Sequence, residues 1–270
     1  MPVRRPRTAR RTSTLLVAVL AVLAGTGVTG CAALTDLTAP PGLRRGVDVP
    51  SRSHEVATQP LGAAPAGPVG EGGYAFLVTH PDGTPVTWDP CRPVHYVVRA
   101  DGSPRDGAQW LRWAFGRLTA ATGLRFVDDG TSTEAPSQDR AAYLPDRYGD
   151  RWAPVLVTWS TPAETTMLTG QVLGRAGPRS FSAHGDGELR WVSGTAVFNG
   201  PQLDAMLAGG DEAKVQAVLL HELGHLVGLG HVPDPYQVMF DTNAYPVSAY
   251  RAGDLRGLSA LGSGRCFADY

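Results

Sequence analysis

The segment "HELGHLVGLGH", His221 to His231, sets three histidines and one glutamate among leucine, valine and glycine. On a helix, at about 100° per residue, His221 and His225 stand one turn apart on the same side, the spacing at which two imidazoles can share a tetrahedral zinc ion. Glu222 lies about 100° further round, close enough to touch a water at such a metal without being a ligand. Gly228 falls where the helix should stop, because glycine enters the left-handed region at little cost, and a sharp turn there returns His231 as a third ligand. Without a metal, these polar groups in so apolar a segment would carry a desolvation cost on the order of several kcal/mol with nothing to offset it. Three imidazoles leave one coordination position open, the pattern of a catalytic zinc rather than a structural one, and Glu222 is then placed as general base. A single histidine carries no such argument, so His54, His80, His95 and His184 are read as ordinary core or surface groups.

The helix that must hold these residues runs from about Asp211 to Gly228. Val215, Leu219, Leu223 and Leu226 form one stripe, and Ala217, His221, Gly224, His225 and Gly228 the opposite one. Leu220 and Val227 lie between, so the helix is apolar almost all round and belongs at the centre of a domain. Upstream, "YAFLV" and "PVHYVVRA" are short β-branched and aromatic runs bounded by Pro, Gly and Asp, which predicts strands. "DGAQWLRWAFGRLTAATG" predicts a helix with Trp110, Ala114, Leu118 and Ala121 on its buried stripe, Asp106 as N-cap and Gly123 as the stop. "LRFVDD", "APVLVTWS", "QVLGRAG" and "LRWVSGTAVFNG" are further strands, with "SFSAHGDGE" a loop between the last two, and another helix runs from about Ala252 to Leu261. Strands mixed with a few helices in one segment of this length predict a single α+β domain.

The 270-residue chain is 43% hydrophobic and 18% charged, the texture of a globular protein. Arg4, Arg5, Arg7, Arg10 and Arg11 precede the apolar run Leu15 to Gly30, the layout of a secretory signal over residues 1–30. Without those five arginines the formal charge of −1 becomes −6, which leaves no basic footprint for nucleic acid. The run ends in "VTGC", which resembles the bacterial lipobox; Cys31 is then the lipidated first residue of a protein held at the outer face of the cytoplasmic membrane, or of a secreted one if the anchor is absent. Cys91 and Cys266 remain as an even pair in an exported chain, which predicts a disulfide. Between Ala39 and Gly73 thirteen of 35 residues are Pro or Gly, so residues 31–73 are expected to be a tether and the domain to fill 74–270.

His221, Glu222, His225, Gly228 and His231 match H-E-x-x-H-x-x-G-x-x-H, the signature of the metzincins. In "HVPDPYQVMF", Met239 follows His231 by the interval typical of the matrixin branch, and from Tyr74 to Gly262 the order of strands and helices is similar to that family. The resemblance implies a twisted, mostly parallel sheet with an antiparallel edge strand, a long active-site helix, a Met-turn at Met239 and a C-terminal helix. It implies a zinc endopeptidase that binds its peptide or protein substrate extended along the edge strand, placed near Gln171 to Gly177. Phe240 and Asp241 stand where matrixins carry Tyr-Pro, and Tyr245-Pro246 come later, so no pocket preference follows. Asp241 is assigned no metal. His184-Gly185-Asp186 only loosely resembles a structural-metal loop, and neither calcium nor a second zinc is read from it. Two other readings stay open: a catalytically silent zinc-containing surface module, and a zinc hydrolase of cell-wall peptides.

Overall fold

The computed structural model of the protein describes residues 49–51, 55–182, 188–242 and 247–267. The signal segment, Cys31, the tether up to Asp48, His54, His184-Gly185-Asp186 and Tyr245-Pro246 lie outside the described residues.

Five strands form the main sheet: β2 (Val94–Arg99), β3 (Phe126–Thr131), β4 (Val155–Ser160), β5 (Gly174–Ser182) and β6 (Leu189–Asn199), in the order β3-β2-β4-β6-β5. The first four in that order are parallel and β5 runs antiparallel to β6 at the edge, which agrees with the expected mixed sheet. Parallel neighbours need a crossover, and helix α1 (Gly107–Thr122) supplies the one from β2 to β3. β4, "VLVTWS", is buried at every residue, as a strand covered on both faces should be. Two-residue strands β1 (Ala75–Phe76) and β7 (Leu229–Gly230) pair antiparallel as a separate small sheet, with β7 against the helices that follow β6. A short helix α2 (Pro145–Tyr148) lies in the loop before β4.

Helix α4 (Glu212–Val227) is the expected central helix: eleven of its sixteen residues are buried, including both sides of the wheel. It lies against β5, β6 and α1, and α5 (Ala252–Gly262) closes the domain behind it. Leu219, Leu220, Leu223 and Leu226 are fully buried in one continuous core with Leu118 of α1, Phe198 of β6 and Leu258 of α5.

Several local expectations are corrected. The buried face of α1 is Leu111, Ala114, Phe115, Leu118 and Ala121, with Trp110 at its margin, because the stripe that meets the sheet is centred one position further on. Asp106 precedes α1, but its side chain makes no cap; its backbone sits at φ 56°, which a short polar side chain tolerates, and its carbonyl accepts the N–H groups of Gln109 and Trp110. The edge strand begins only at Gly174 and runs to Ser182, so the first residues of the expected loop "SFSAHGDGE" are strand. "GPQLDAMLA", where no element is expected from the sequence pattern, is helix α3 (Gly200–Ala208), started by the Asn199 side chain accepting the Gln202 N–H.

Glu55 to Gly73, expected to be part of the tether, lies along the domain as an extended strap. The Ala57 and Leu61 N–H groups donate to the carbonyls of Cys91 and Pro90, Ser259 Oγ donates to Pro65 O, and the Arg256 guanidinium holds the carbonyls of Pro68, Gly70 and Gly72. An extended Pro/Gly segment makes no internal hydrogen bonds, so its carbonyls are free for donors from the domain, and α5 presents two of them. The Cys91–Cys266 disulfide is formed, closing a separation of 175 residues between the segment before β2 and the segment after α5. Asp89 braces both ends, accepting the N–H groups of Cys91 (2.8 Å) and Phe267 (3.2 Å), while burial pushes its carboxyl above the usual range.

Candidate metal centre

α4 carries His221 and His225 on its last two turns, and Gly228 ends it at φ 115°, as the sequence predicts. Leu229–Gly230 then leave to pair with β1, and His231 comes back over the helix end. The three Nε2 atoms lie 3.0, 3.0 and 3.1 Å apart. Ligands of a tetrahedral zinc with bonds of about 2.05 Å would be about 3.3 Å apart, so one ion fits among them with a small outward shift.

Protonation fits a metal as well. His221 Nδ1 donates to Val238 O and His225 Nδ1 to Leu229 O, both at 2.8 Å, which leaves the two Nε2 lone pairs bare and facing one another. Two such nitrogens cannot hydrogen-bond each other, and a cation satisfies both. Burial holds His221 neutral, its pKa lowered to about 4, and it also pulls His225 well down and His231 down. Among the described residues the other group of this kind is Asp89, Cys91 and Cys266, whose sulfurs are spent in the disulfide. His80 and His95 lie elsewhere, and His95 pairs with Asp129 and Glu55.

Glu222 is 7% exposed. The backbone of Gly174 packs against its side chain, and its carboxylate accepts the Ala176 N–H, so the start of β5 forms one wall of the centre. Burial pushes its pKa up to about 8, against the pull of that N–H and of the Arg175 charge; a dication at the imidazoles would draw it back down. The cleft beside His221 and Glu222 has a volume of about 410 Å³, walled by Leu173, Met206, Val218 and Phe240, with Asp241 and Thr242 at its rim. Met206 belongs to α3, the helix absent from the sequence reading. Gln171 to Leu173 flank the cleft just ahead of the edge strand instead of forming it.

Below the imidazoles, the Met239 side chain packs against Gly224, between the two histidines of α4. The turn is closed by the Val232 N–H donating to Met239 O, and Asp254 of α5 accepts the N–H groups of Val238 (2.9 Å) and Met239 (3.3 Å). Asp254 was not foreseen; in the sequence it is one more acid in the first turn of a helix. Residues 158–261, from within β4 to the end of α5, match the family model of the matrixins. That stretch contains the edge strand, the helix, the glycine turn and the methionine turn on which the three imidazoles converge, and over it the chain is similar to the matrixins, a metzincin family of zinc-dependent metallopeptidases.

Proposed function

We propose that the protein is an exported zinc endopeptidase in which His221, His225 and His231 hold the metal and Glu222 is the general base. The observation that carries this reading is the convergence of three neutral Nε2 atoms within 3.1 Å beside a buried carboxylate. Zinc bound there would supply a Lewis acid for the scissile carbonyl and lower the pKa of a water from ~15.7 to ~7. The carbonyls of Val238 and Leu229 orient two of the imidazoles and keep their Nε2 atoms free. Glu222 takes the proton of the attacking water and returns it to the departing amine, while the Ala176 N–H fixes the carboxylate. Among the described residues no strand lies on the outer side of β5, so an extended peptide adds there, backbone to backbone, with one side chain entering the 410 Å³ cleft. The Arg-rich start, the apolar run and "VTGC" support export with a lipid at Cys31, and a disulfide suits an oxidising compartment.

Incubation of the purified chain with a mixed peptide library, with and without chelator, tests the reading. Chelator-sensitive cuts inside peptides are expected, and Glu222→Gln should retain zinc while losing about 10²–10⁴-fold in rate. Cuts confined to wall peptides would point to a wall hydrolase, and zinc binding without any cleavage to a silent module. Turnover retained by Glu222→Gln would refute the general-base assignment.

A further inference from the structure

Gln237 stands between His231 and Met239 and is 5% exposed. Its Oε1 accepts the Asp254 N–H at the start of α5 (3.0 Å) and its Nε2 donates to Asp234 Oδ2 (3.2 Å). One partner is a donor and the other an acceptor, so the amide has a single orientation. Asp234 lies three residues after His231, and its other carboxylate oxygen accepts the Tyr236 N–H (3.0 Å). The next residue, Val238, presents the carbonyl that receives His221 Nδ1, and Asp254 holds the Val238 N–H. The strap covers the amide from outside. Gly72 sits at φ 99° with its backbone directly on the Gln237 amide, where any side chain would collide, and Arg256 grips the Gly72 carbonyl.

We propose that Gln237 is a positioning residue for the metal centre: by bridging Asp234 to the first turn of α5 beneath the strap, it fixes the loop that delivers His231 and the carbonyl that orients His221. The inference rests on the reading of the three imidazoles as zinc ligands. The loop from Val232 to Phe240 has little regular structure of its own, so without the bridge it samples arrangements in which His231 is displaced, and zinc must select the competent fraction. Groups that orient metal ligands from behind typically change metal affinity about 10–100-fold.

The test is zinc affinity of the purified chain by chelator competition, at a temperature where circular dichroism shows the metal-free protein folded, together with the visible spectrum of the cobalt(II) form. Gln237→Glu keeps the acceptor for the Asp254 N–H but sets a carboxylate against Asp234. It should weaken zinc about tenfold and change the cobalt spectrum. Adding Asp234→Asn reverses the polarity of the bond at unchanged net charge and should restore affinity to within about threefold of wild type, along with the spectrum. If Gln237→Glu does not fold, Gln237→Met, of similar volume and without either hydrogen bond, takes its place and should show the same loss. Wild-type affinity and spectrum in the folded single variant, or no recovery in the double variant, would overturn the proposal. A wild-type chain that fails to bind zinc overturns the zinc reading itself, and this inference with it.

Discussion

Gly228→Ala tests whether the turn after α4 is what assembles the centre. Gly228 sits at φ 115°, well past the left-handed basin near 57°, so an L-residue there pays at least the roughly 1–2 kcal/mol of left-handed strain. A methyl group at this position would lie 3.0 Å from Trp191 Nε1 and 3.1 Å from Leu261 Cδ2. Both neighbours are buried, so neither can swing into solvent, and overpacking by one methyl adds about 1 kcal/mol or more. The expected loss is therefore about 2–3 kcal/mol, read as a lowered urea midpoint for the metal-free protein followed by tryptophan fluorescence. A second effect separates the turn from ordinary packing. The Leu229 carbonyl that receives His225 Nδ1, and His231 itself, both lie beyond Gly228, so zinc affinity should fall as well. Loss of less than about 0.5 kcal/mol, with unchanged zinc affinity, would refute the view that this glycine is required by its backbone and its close neighbours.

The chemistry was the most legible part of the sequence because it is local. Helical spacing places His221 next to His225, and one glycine suffices to return His231, so eleven residues define the centre before any tertiary contact is known. The disulfide was legible because two cysteines remain once Cys31 is set aside, whereas the edge strand was legible only in part: its run between breakers overlaps the observed strand at Gly174 to Gly177, and its edge position came from the family resemblance. The groups behind the ligands were not. Asp254 and Gln237 act on the centre through contacts between residues 15 to 17 positions apart, and nothing in a helix-start acid or a lone amide says which loop it will hold. The docking of the strap is hidden in the sequence for a different reason: its composition excludes a core of its own, but does not exclude packing on one. In α3 the start signals, Asn199 and Pro201, are present, but Asn199 is also the last residue of a long strand and the helix that follows is too short to show a clear period.

Removal of the Cys91–Cys266 bond by Cys91→Ser with Cys266→Ser should lower stability by up to about 5 kcal/mol, since the bond closes a loop spanning 175 residues of separation. Unfolding by urea in the absence of reductant measures this, and a loss under about 1 kcal/mol would mean that the unfolded chain gains little freedom from the opening. The stability of the metal-free protein should also pass through a maximum at about pH 7. Burial lowers the His221 pKa to about 4 and lowers His225 and His231 with it, so below about 6.5 the unfolded chain binds more protons than the folded one and stability falls as the pH falls. Glu222 works in the opposite sense. Its folded pKa is raised from 4.5 to about 8, so between those values the folded chain holds the extra proton and stability falls as pH rises. The three histidines outweigh the single glutamate until they have lost most of their protons in the unfolded chain, at about pH 7; above that, Glu222 dominates among these four groups. Glu222→Gln should therefore remove the decline between about pH 7 and 8 and leave the acid limb in place. An unfolding free energy that rises steadily from about pH 7 to 8 in the metal-free wild type, or a decline that persists in Glu222→Gln, would show that this carboxylate does not carry its proton in the folded, metal-free centre.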